Sequence, residues 1–294
     1  MRKVLIPTKL DKFAATMLSD RGYNVVLDGA TPLADLVKAN SDAEVLIVRS
    51  EKITPEIIDL LPNLKLIVRA GAGYNTIDTK YARKHDIDVM NTPGANSYAV
   101  AEEVVAMMLA ASRHVVAADI STRKGDWEKS KFMGRELTGK TVGILGLGHI
   151  GQLLVKRLSG FEVKVLGYDP MLSPTLAEKL GVELTSIEHI FTDSDFVSLH
   201  IPENDETRGM INRRLLELMK PGAMLINCAR GPIVDEAALI EALENGRLAG
   251  AGLDVTDPEP VAPDSPLFKL PNVIVTPHCA PTTVESATRV SKIA

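Results

Sequence analysis

A chain of 294 residues is long for one domain and comfortable for two, at roughly 100–200 residues each. Hydrophobic residues at 45% and charged residues at 24% are ordinary for a soluble globular protein, and aromatics at 4% leave the cores to Val, Ile, Leu, Ala and Met. Lys plus Arg at 33 against Asp plus Glu at 38 gives a net charge of −5, which argues against nucleic acid as a partner, because phosphate binding needs a basic footprint. The N-terminal apolar run is too short for a signal peptide and is cut by Pro7; no apolar stretch approaches the roughly 18 residues a membrane span needs. No membrane association is expected. The only cysteines, Cys228 and Cys279, lack metal-type spacing, so no metal site is expected and a reducing cytoplasm is the default.

Up to about residue 95, short apolar runs alternate with helical patterns. Strands are read at Lys3–Ile6, Asn24–Leu27, 44–49, 64–68 and 88–90. Between them helices are read at 11–21, 32–39, from Pro55 to Pro62, and at 78–85. Phe13, Met17 and Leu18 share a face of the first helix, and Gly22 is its stop. Short all-apolar strands alternating with helices imply a parallel sheet covered on both faces. This is a small, flavodoxin-like α/β domain with no glycine fingerprint after its first strand. After a polar turn at 91–97, Ser97 is read as the N-cap of one long Ala-, Val- and Met-rich helix, 98–123. A helix so apolar is buried between domains or against another subunit. Gly125-Asp126-Trp127-Glu128 ends it, and a basic stretch with Lys129, Lys131 and Arg135 follows.

Residues 141–145 then read as a buried strand, and Gly146-Leu147-Gly148-His149-Ile150-Gly151 as G-x-G-x-x-G opening a helix through Leu158. Gly146 permits the tight turn, Gly148 lets backbone approach a pyrophosphate, and Gly151 lets helix pack on strand. The helix N-terminus, with unpaired N–H groups and a favourable dipole, would hold the anion. A glycine-rich surface turn is the plain alternative. The context favours the dinucleotide reading, since a second strand at 162–166 leads into Asp169, about 20 residues past the glycines. A carboxylate there takes the ribose hydroxyls of NAD and repels the 2′-phosphate of NADP. NAD is the expected cofactor.

The chain continues with helices at 175–180 and 186–191, and a strand, Phe196–Leu199, ending in His200-Ile201-Pro202. A helix at 213–219 precedes the strand Ala223–Asn227, which ends in Cys228-Ala229-Arg230-Gly231. Asp235 caps the helix to Asn245, and strands at 249–255 and 273–276 follow. Residues 281–294 read as one helix returning to the first domain. The expected architecture is thus two doubly wound parallel-sheet domains: 1–97 with 281–294, binding substrate, and a Rossmann-type 98–280.

Ligands of open α/β sheets bind beyond the carboxyl ends of the strands. Arg49, Arg69, Asp169, His200, Arg230, Asp254 and His278 sit at such ends. Arg230, Glu259 and His278 make a sensible site for hydride transfer to or from a 2-keto acid. Arg230 can hold the carboxylate bidentately. His278 can exchange a proton with the carbonyl oxygen, and Glu259 can orient the imidazole and favour its charged form. Asp254 could bond the nicotinamide carboxamide. Each has a plainer alternative, as a satisfied loop histidine or carboxylates of a solvated turn between prolines.

With the fingerprint and Asp169, Asn227-Cys228-Ala229-Arg230-Gly231, Gly252-Leu253-Asp254-Val255, Glu259-Pro260 and Pro277-His278 in order, the chain resembles the D-isomer-specific 2-hydroxyacid dehydrogenases over nearly its whole length. By that resemblance Arg230, Glu259 and His278 are catalytic. The cofactor set becomes Gly146, Gly148, His149, Ile150, Gly151, Asp169, His200, Ile201, Pro202, Thr207, Cys228, Ala229, Asp254 and Ala280. The segments Val48-Arg49-Ser50, Val68-Arg69-Ala70-Gly71-Ala72-Gly73, Met90-Asn91-Thr92-Pro93 with Asn96-Ser97, and Trp127-Glu128-Lys129 are most similar to the D-3-phosphoglycerate dehydrogenase branch. That similarity implies Arg49 and Arg69 for the substrate's phosphate, with ion pairing within the small domain as their plainer alternative, and Gly71, Ala72, Gly73 and Asn96 near its carboxylate.

The branch oxidises D-3-phosphoglycerate to 3-phosphooxypyruvate in serine biosynthesis. Reduction of glyoxylate or hydroxypyruvate is the alternative within the family, and an NAD(H)-binding corepressor role the alternative outside it. The family also implies a homodimer through the 98–123 helix and the 127–137 arm. Three departures stand out: His149 replaces the Arg of many relatives, Cys279-Ala280-Pro281-Thr282-Thr283 replaces a glycine- or alanine-rich turn, and the chain stops at Ala294, so feedback by serine through a further domain is not expected. Thiol reagents are expected to act at Cys228 and Cys279 by obstruction, since each neighbours a proposed catalytic residue.

Overall fold

The apolar runs of the first 91 residues become five parallel strands: β1 (Lys3–Ile6), β2 (Asn24–Leu27), β3 (Val45–Val48), β4 (Leu66–Arg69) and β5 (Asp88–Asn91). In the computed structural model, which describes residues 1–294, they lie in the order β2-β1-β3-β4-β5. This is the flavodoxin-like arrangement. Helices α1 (Lys12–Asp20), α2 (Leu33–Ala39), α3 (Pro55–Asp59) and α4 (Thr79–Lys84) connect them. Side chains alternate across a strand, so Leu5, Leu46 and Val48 enter one core with Leu36, Val37 and Ile58, whereas Val4, Ile6 and Ile47 enter the other. Both faces being covered, the strands need no polar positions.

The chain divides into two compact units, residues 1–96 with 282–294, and residues 97–281. The second opens with α5 (Ser97–Ser112) and α6 (Val115–Arg123). Its sheet comprises β6 (Thr141–Leu145), β7 (Lys164–Tyr168), β8 (Val182–Leu184), β9 (Phe196–Leu199), β10 (Ala223–Asn227), β11 (Leu248–Leu253) and β12 (Val273–Val275). The order is β12-β11-β10-β9-β6-β7-β8, all parallel, with the switch point between β6 and β9. Helices α7 (His149–Leu158), α8 (Pro174–Leu180), α9 (Ile187–Asp193), α10 (Arg213–Leu218) and α11 (Glu236–Glu244) complete the doubly wound Rossmann architecture. Asp235 caps α11 by accepting from the Ala238 N–H at 3.0 Å. The last helix, α12 (Val284–Ile293), belongs to the first unit, where Val290 joins the core of Val4, Ile6 and Ile47.

Several elements differ from the sequence reading: β4 begins at Leu66 rather than 64, and α12 at Val284 rather than 281. The single helix 98–123 is two, bent by 61° at Arg113-His114, where His114 adopts φ +52° and interrupts the ladder. The Ser112 carbonyl accepts instead from the Arg135 N–H at 2.9 Å, a distant partner that no local pattern reveals. Ser97 is the first helical residue rather than the cap. Strand β8 carries no sequence signal; it has three residues at the sheet edge, too few for a period. The strand read at 162–166 begins two residues later, because Glu162 takes φ +56° after a short 3-10 turn, Ser159–Phe161. No single helix is long and apolar enough to cross a membrane; α5 and α6 pass that test only as the bent pair, and nine residues of α5 are buried.

Phe191 on α9 is fully buried among Leu145, Leu199 and Leu216. Phe191→Ala is expected to cost about 3–5 kcal/mol, measured as a shift of the denaturant midpoint.

Candidate active site

The glycine turn joins β6 to α7 over residues 146–151. Gly146 has φ +91°, and a Cβ there would lie 2.6 Å from the His200 carbonyl oxygen. A Cβ on Gly151 would lie 2.2 Å from the Gly146 oxygen, so helix and turn meet without a side chain between them. A Cβ on exposed Gly148 meets nothing within 4 Å, and no side chain caps α7. No side chain therefore covers Gly148 or caps the start of α7, which suits a pyrophosphate. Asp169, at the end of β7, accepts from the Leu147 N–H at 2.7 Å and the Met171 N–H at 2.8 Å. Its carboxylate therefore ties the two strand ends together and stands beside the turn. The residues present fit a dinucleotide. His149 is exposed.

Beyond β9, His200 donates its backbone N–H to Leu145 O at 2.7 Å, and its Nε2 lies 2.8 Å from Ser198 Oγ. Burial pushes its pKa down to about 4, so the ring is neutral at physiological pH, and its Nδ1 is buried without a partner. Thr207 turns its hydroxyl inward, donating to Pro202 O at 2.6 Å and accepting from the Asn204 N–H at 2.9 Å. It holds the Ile201-Pro202 loop in shape.

The second unit brings Arg230, Glu259 and His278 to the exits of β10, β11 and β12. His278 Nδ1 lies 2.9 Å from Glu259 Oε2, both side chains about two-fifths exposed. Burial pushes the Glu259 carboxyl up. The His278 hydrogen bond and charge, the Thr256 N–H and nearby Arg230 outweigh it, leaving Glu259 below the usual range. Arg230 is half-buried, and its Nη1 donates to Ala229 O at 2.6 Å. Gly231 passes so close to the β11 exit that a Cβ would lie 2.0 Å from Thr256 O.

Asp254 is 1% exposed. Its Oδ1 accepts from Thr276 Oγ1 at 2.7 Å and the Cys279 N–H at 2.8 Å, and its Oδ2 from the Ala280 N–H at 2.8 Å. Those bonds clasp the His278 loop, and His278 itself sits at φ +51° with its N–H on Asp254 O at 2.9 Å. Cys228 is buried with Sγ 3.7 Å from Met107 Sδ, and burial, then the charges of Asp254 and Glu103, push its thiol well up. The same causes raise half-buried Cys279. Cys228 is therefore no target for reagents acting by obstruction, contrary to the sequence reading, because the residue after a strand's last position points into the core here.

The first unit carries the other predicted residues at the ends of its own strands. Arg69 Nη1 donates to Ala70 O at 3.3 Å, and its guanidinium lies over Gly71, occupying the space a Cβ would need. Asn91 Nδ2 donates to Ala72 O at 2.6 Å and the Thr92 N–H to Gly71 O at 3.0 Å, so β5 fixes the Gly71–Gly73 loop. The Arg49 and Ser50 N–H groups donate to Glu51 Oε2 at 2.8 and 3.1 Å. Asn96 Oδ1 is buried and unpartnered. Sequence reasoning missed Thr256, Thr276, Asn91 and Asn227, which touch the proposed groups or their loops; a polar residue closing an apolar strand was the available signal.

This set of strand-end groups on a Rossmann unit has a counterpart among known proteins. The chain belongs to the D-isomer specific 2-hydroxyacid dehydrogenases, whose NAD binding domain matches residues 105–280. Among its relatives it is 42% identical to the D-3-phosphoglycerate dehydrogenase of Archaeoglobus fulgidus over 99% of this chain and 55% of the relative. It is 40% identical to the hydroxypyruvate reductase of Thermotoga maritima over 98% of this chain and 94% of that protein. The chain thus spans about half the length of the phosphoglycerate dehydrogenases it matches. A solved structure from Thermus thermophilus superposes with a TM-score of 0.90 at 36% identity, covering 99% of this chain and 94% of that one.

A histidine lowered from 6.5 to about 4 is protonated more readily in the unfolded chain. Stability should hold above about pH 6.5 and fall as pH drops towards 4, by up to about 3 kcal/mol from His200. Denaturant midpoints of His200→Gln across that range should fall less steeply than those of the parent.

Proposed function

We propose that this chain is an NAD-dependent D-2-hydroxyacid dehydrogenase that oxidises D-3-phosphoglycerate to 3-phosphooxypyruvate. The observation that carries the reading is the His278–Glu259 pair at 2.9 Å beside the turn bearing Arg230. NAD, when bound, accepts the hydride from the substrate's C2. Arg230 holds the substrate carboxylate. His278, through the Nε2 left free by its bond to Glu259, takes the hydroxyl proton as the C–H bond breaks, and returns it in reduction. Glu259 fixes the ring orientation and stabilises the imidazolium. Asp169 recognises the ribose, and the turn from Gly146 to Gly151 holds the pyrophosphate. Arg49 and Arg69 take the substrate's phosphate, with Gly71, Ala72, Gly73 and Asn96 around its carboxylate.

The Thermotoga maritima relative favours a second reading, reduction of hydroxypyruvate or glyoxylate by the same groups. We also propose a cytoplasmic homodimer. Its support is the two free thiols and the apolar surface of α6 and the following arm, where Val115, Ile120, Trp127 and Met133 are 53, 49, 87 and 83% exposed beside a groove of about 600 Å³.

NADH formation with D-3-phosphoglycerate at alkaline pH, run beside NADH consumption with hydroxypyruvate and glyoxylate, separates the two readings. Arg49→Ala and Arg69→Ala should each lower kcat/KM for phosphoglycerate by about 10- to 100-fold, one charge-assisted hydrogen bond of about 1.5–3 kcal/mol, and spare glyoxylate. Equal losses on both substrates would remove the phosphate assignment. His278→Gln should abolish turnover with NADH affinity within a few-fold, and Asp169→Ala should narrow the preference for NAD over NADP.

A further inference from the structure

Asn227 closes β10 and is 1% exposed. A buried carboxamide has to satisfy an acceptor and a donor group, and Asn227 does so within three residues. Its Oδ1 accepts from the Ala229 N–H at 3.0 Å, and its Nδ2 donates to the Arg230 carbonyl at 2.9 Å. Only one orientation of the amide makes both bonds, so the side chain acts as a template for the turn 228–230. On the other side of Arg230, Gly231 lies against Thr256 O with no room for a Cβ, and Thr256 donates its N–H to Glu259 Oε1 at 3.3 Å. The Arg230 guanidinium bonds Ala229 O of the same turn. Arg230 is therefore fixed from both directions, by the Asn227 amide behind it and by the β11 exit ahead.

We propose that Asn227 is a positioning residue for substrate binding: its carboxamide sets the turn from which Arg230 presents its guanidinium. The proposal rests on the reading of Arg230 as the carboxylate-binding group. Asn227 is too buried to meet substrate, and its effect passes through the Arg230 backbone.

Asn227→Asp tests this, because it keeps the size and the acceptor to Ala229 but sets a second oxygen against the Arg230 carbonyl. The expected result is a roughly 10- to 100-fold rise in KM for D-3-phosphoglycerate and for hydroxypyruvate, a smaller fall in kcat, and an NADH Kd within about threefold of the parent. Lowering the pH should rescue the variant, since a protonated carboxyl can donate to the Arg230 carbonyl again. Hydroxypyruvate binding to the NADH complex, followed by NADH fluorescence from about pH 8 to 5, should approach the parent's at the acid end. Asn227→Ala, which removes both bonds without adding charge, should show a substrate KM defect without acid rescue, and carries the test if the aspartate variant does not fold. An unchanged KM in a folded variant, or NADH affinity falling in step with substrate affinity, overturns the proposal. Arg230→Ala separates the two levels. If it leaves keto-acid binding intact, the carboxylate reading fails; if it abolishes binding while both Asn227 variants bind normally, only the proposal fails.

Discussion

A buried carboxylate holds the chemistry of the second unit together. Burying a lone charge costs several kcal/mol, and Asp254 is tolerated because Thr276, Cys279 and Ala280 surround it with donors. Those donors all come from the segment after β12. That loop therefore cannot relax without stranding the charge, and His278, midway along it, stays in a left-handed conformation that a free loop would abandon. Glu259 then meets a ring already in place. Both oxygens of Asp254 are engaged by this loop.

The remaining groups follow the same economy, with backbone brought close and side chains kept out of the way. Gly146 against His200 O, Gly151 against Gly146 O and Gly231 against Thr256 O are contacts that any Cβ would break. The first packs the exit of β6 against that of β9 at the switch point of the sheet, the second packs α7 on its own turn, and the third packs the exit of β10 against that of β11. In the first unit Gly71 yields its missing Cβ to the Arg69 guanidinium. Rigid strand ends carry these groups, and the asparagines and threonines beside them fasten the turns.

Much of the fold was legible because its signals are local. Short, mostly apolar runs marked eleven of the twelve strands; the helix stop at Gly22, the cap at Asp235 and the G-x-G-x-x-G turn each rest on chemistry within a few residues. The break at His114 was hidden because the carbonyl it frees, that of Ser112, is taken up by the distant Arg135 N–H. Strand β8 was hidden because three residues at a sheet edge are chosen by pairing with β7 rather than by their own pattern.

The site divides the same way. Motifs in the chain were enough for the family, two parallel-sheet domains, a dinucleotide turn followed by Asp169, and Arg230, Glu259 and His278 as chemically apt residues. What their neighbours do emerged only on folding. Glu259 and His278 are 19 residues apart in the chain and 2.9 Å apart in space. Asp254 proved to be a clasp, Thr207 a loop brace and Cys228 a core residue. Such roles depend on which backbone groups face a side chain once the strands are stacked. That is fixed by sheet order and burial, which no spacing along the sequence records.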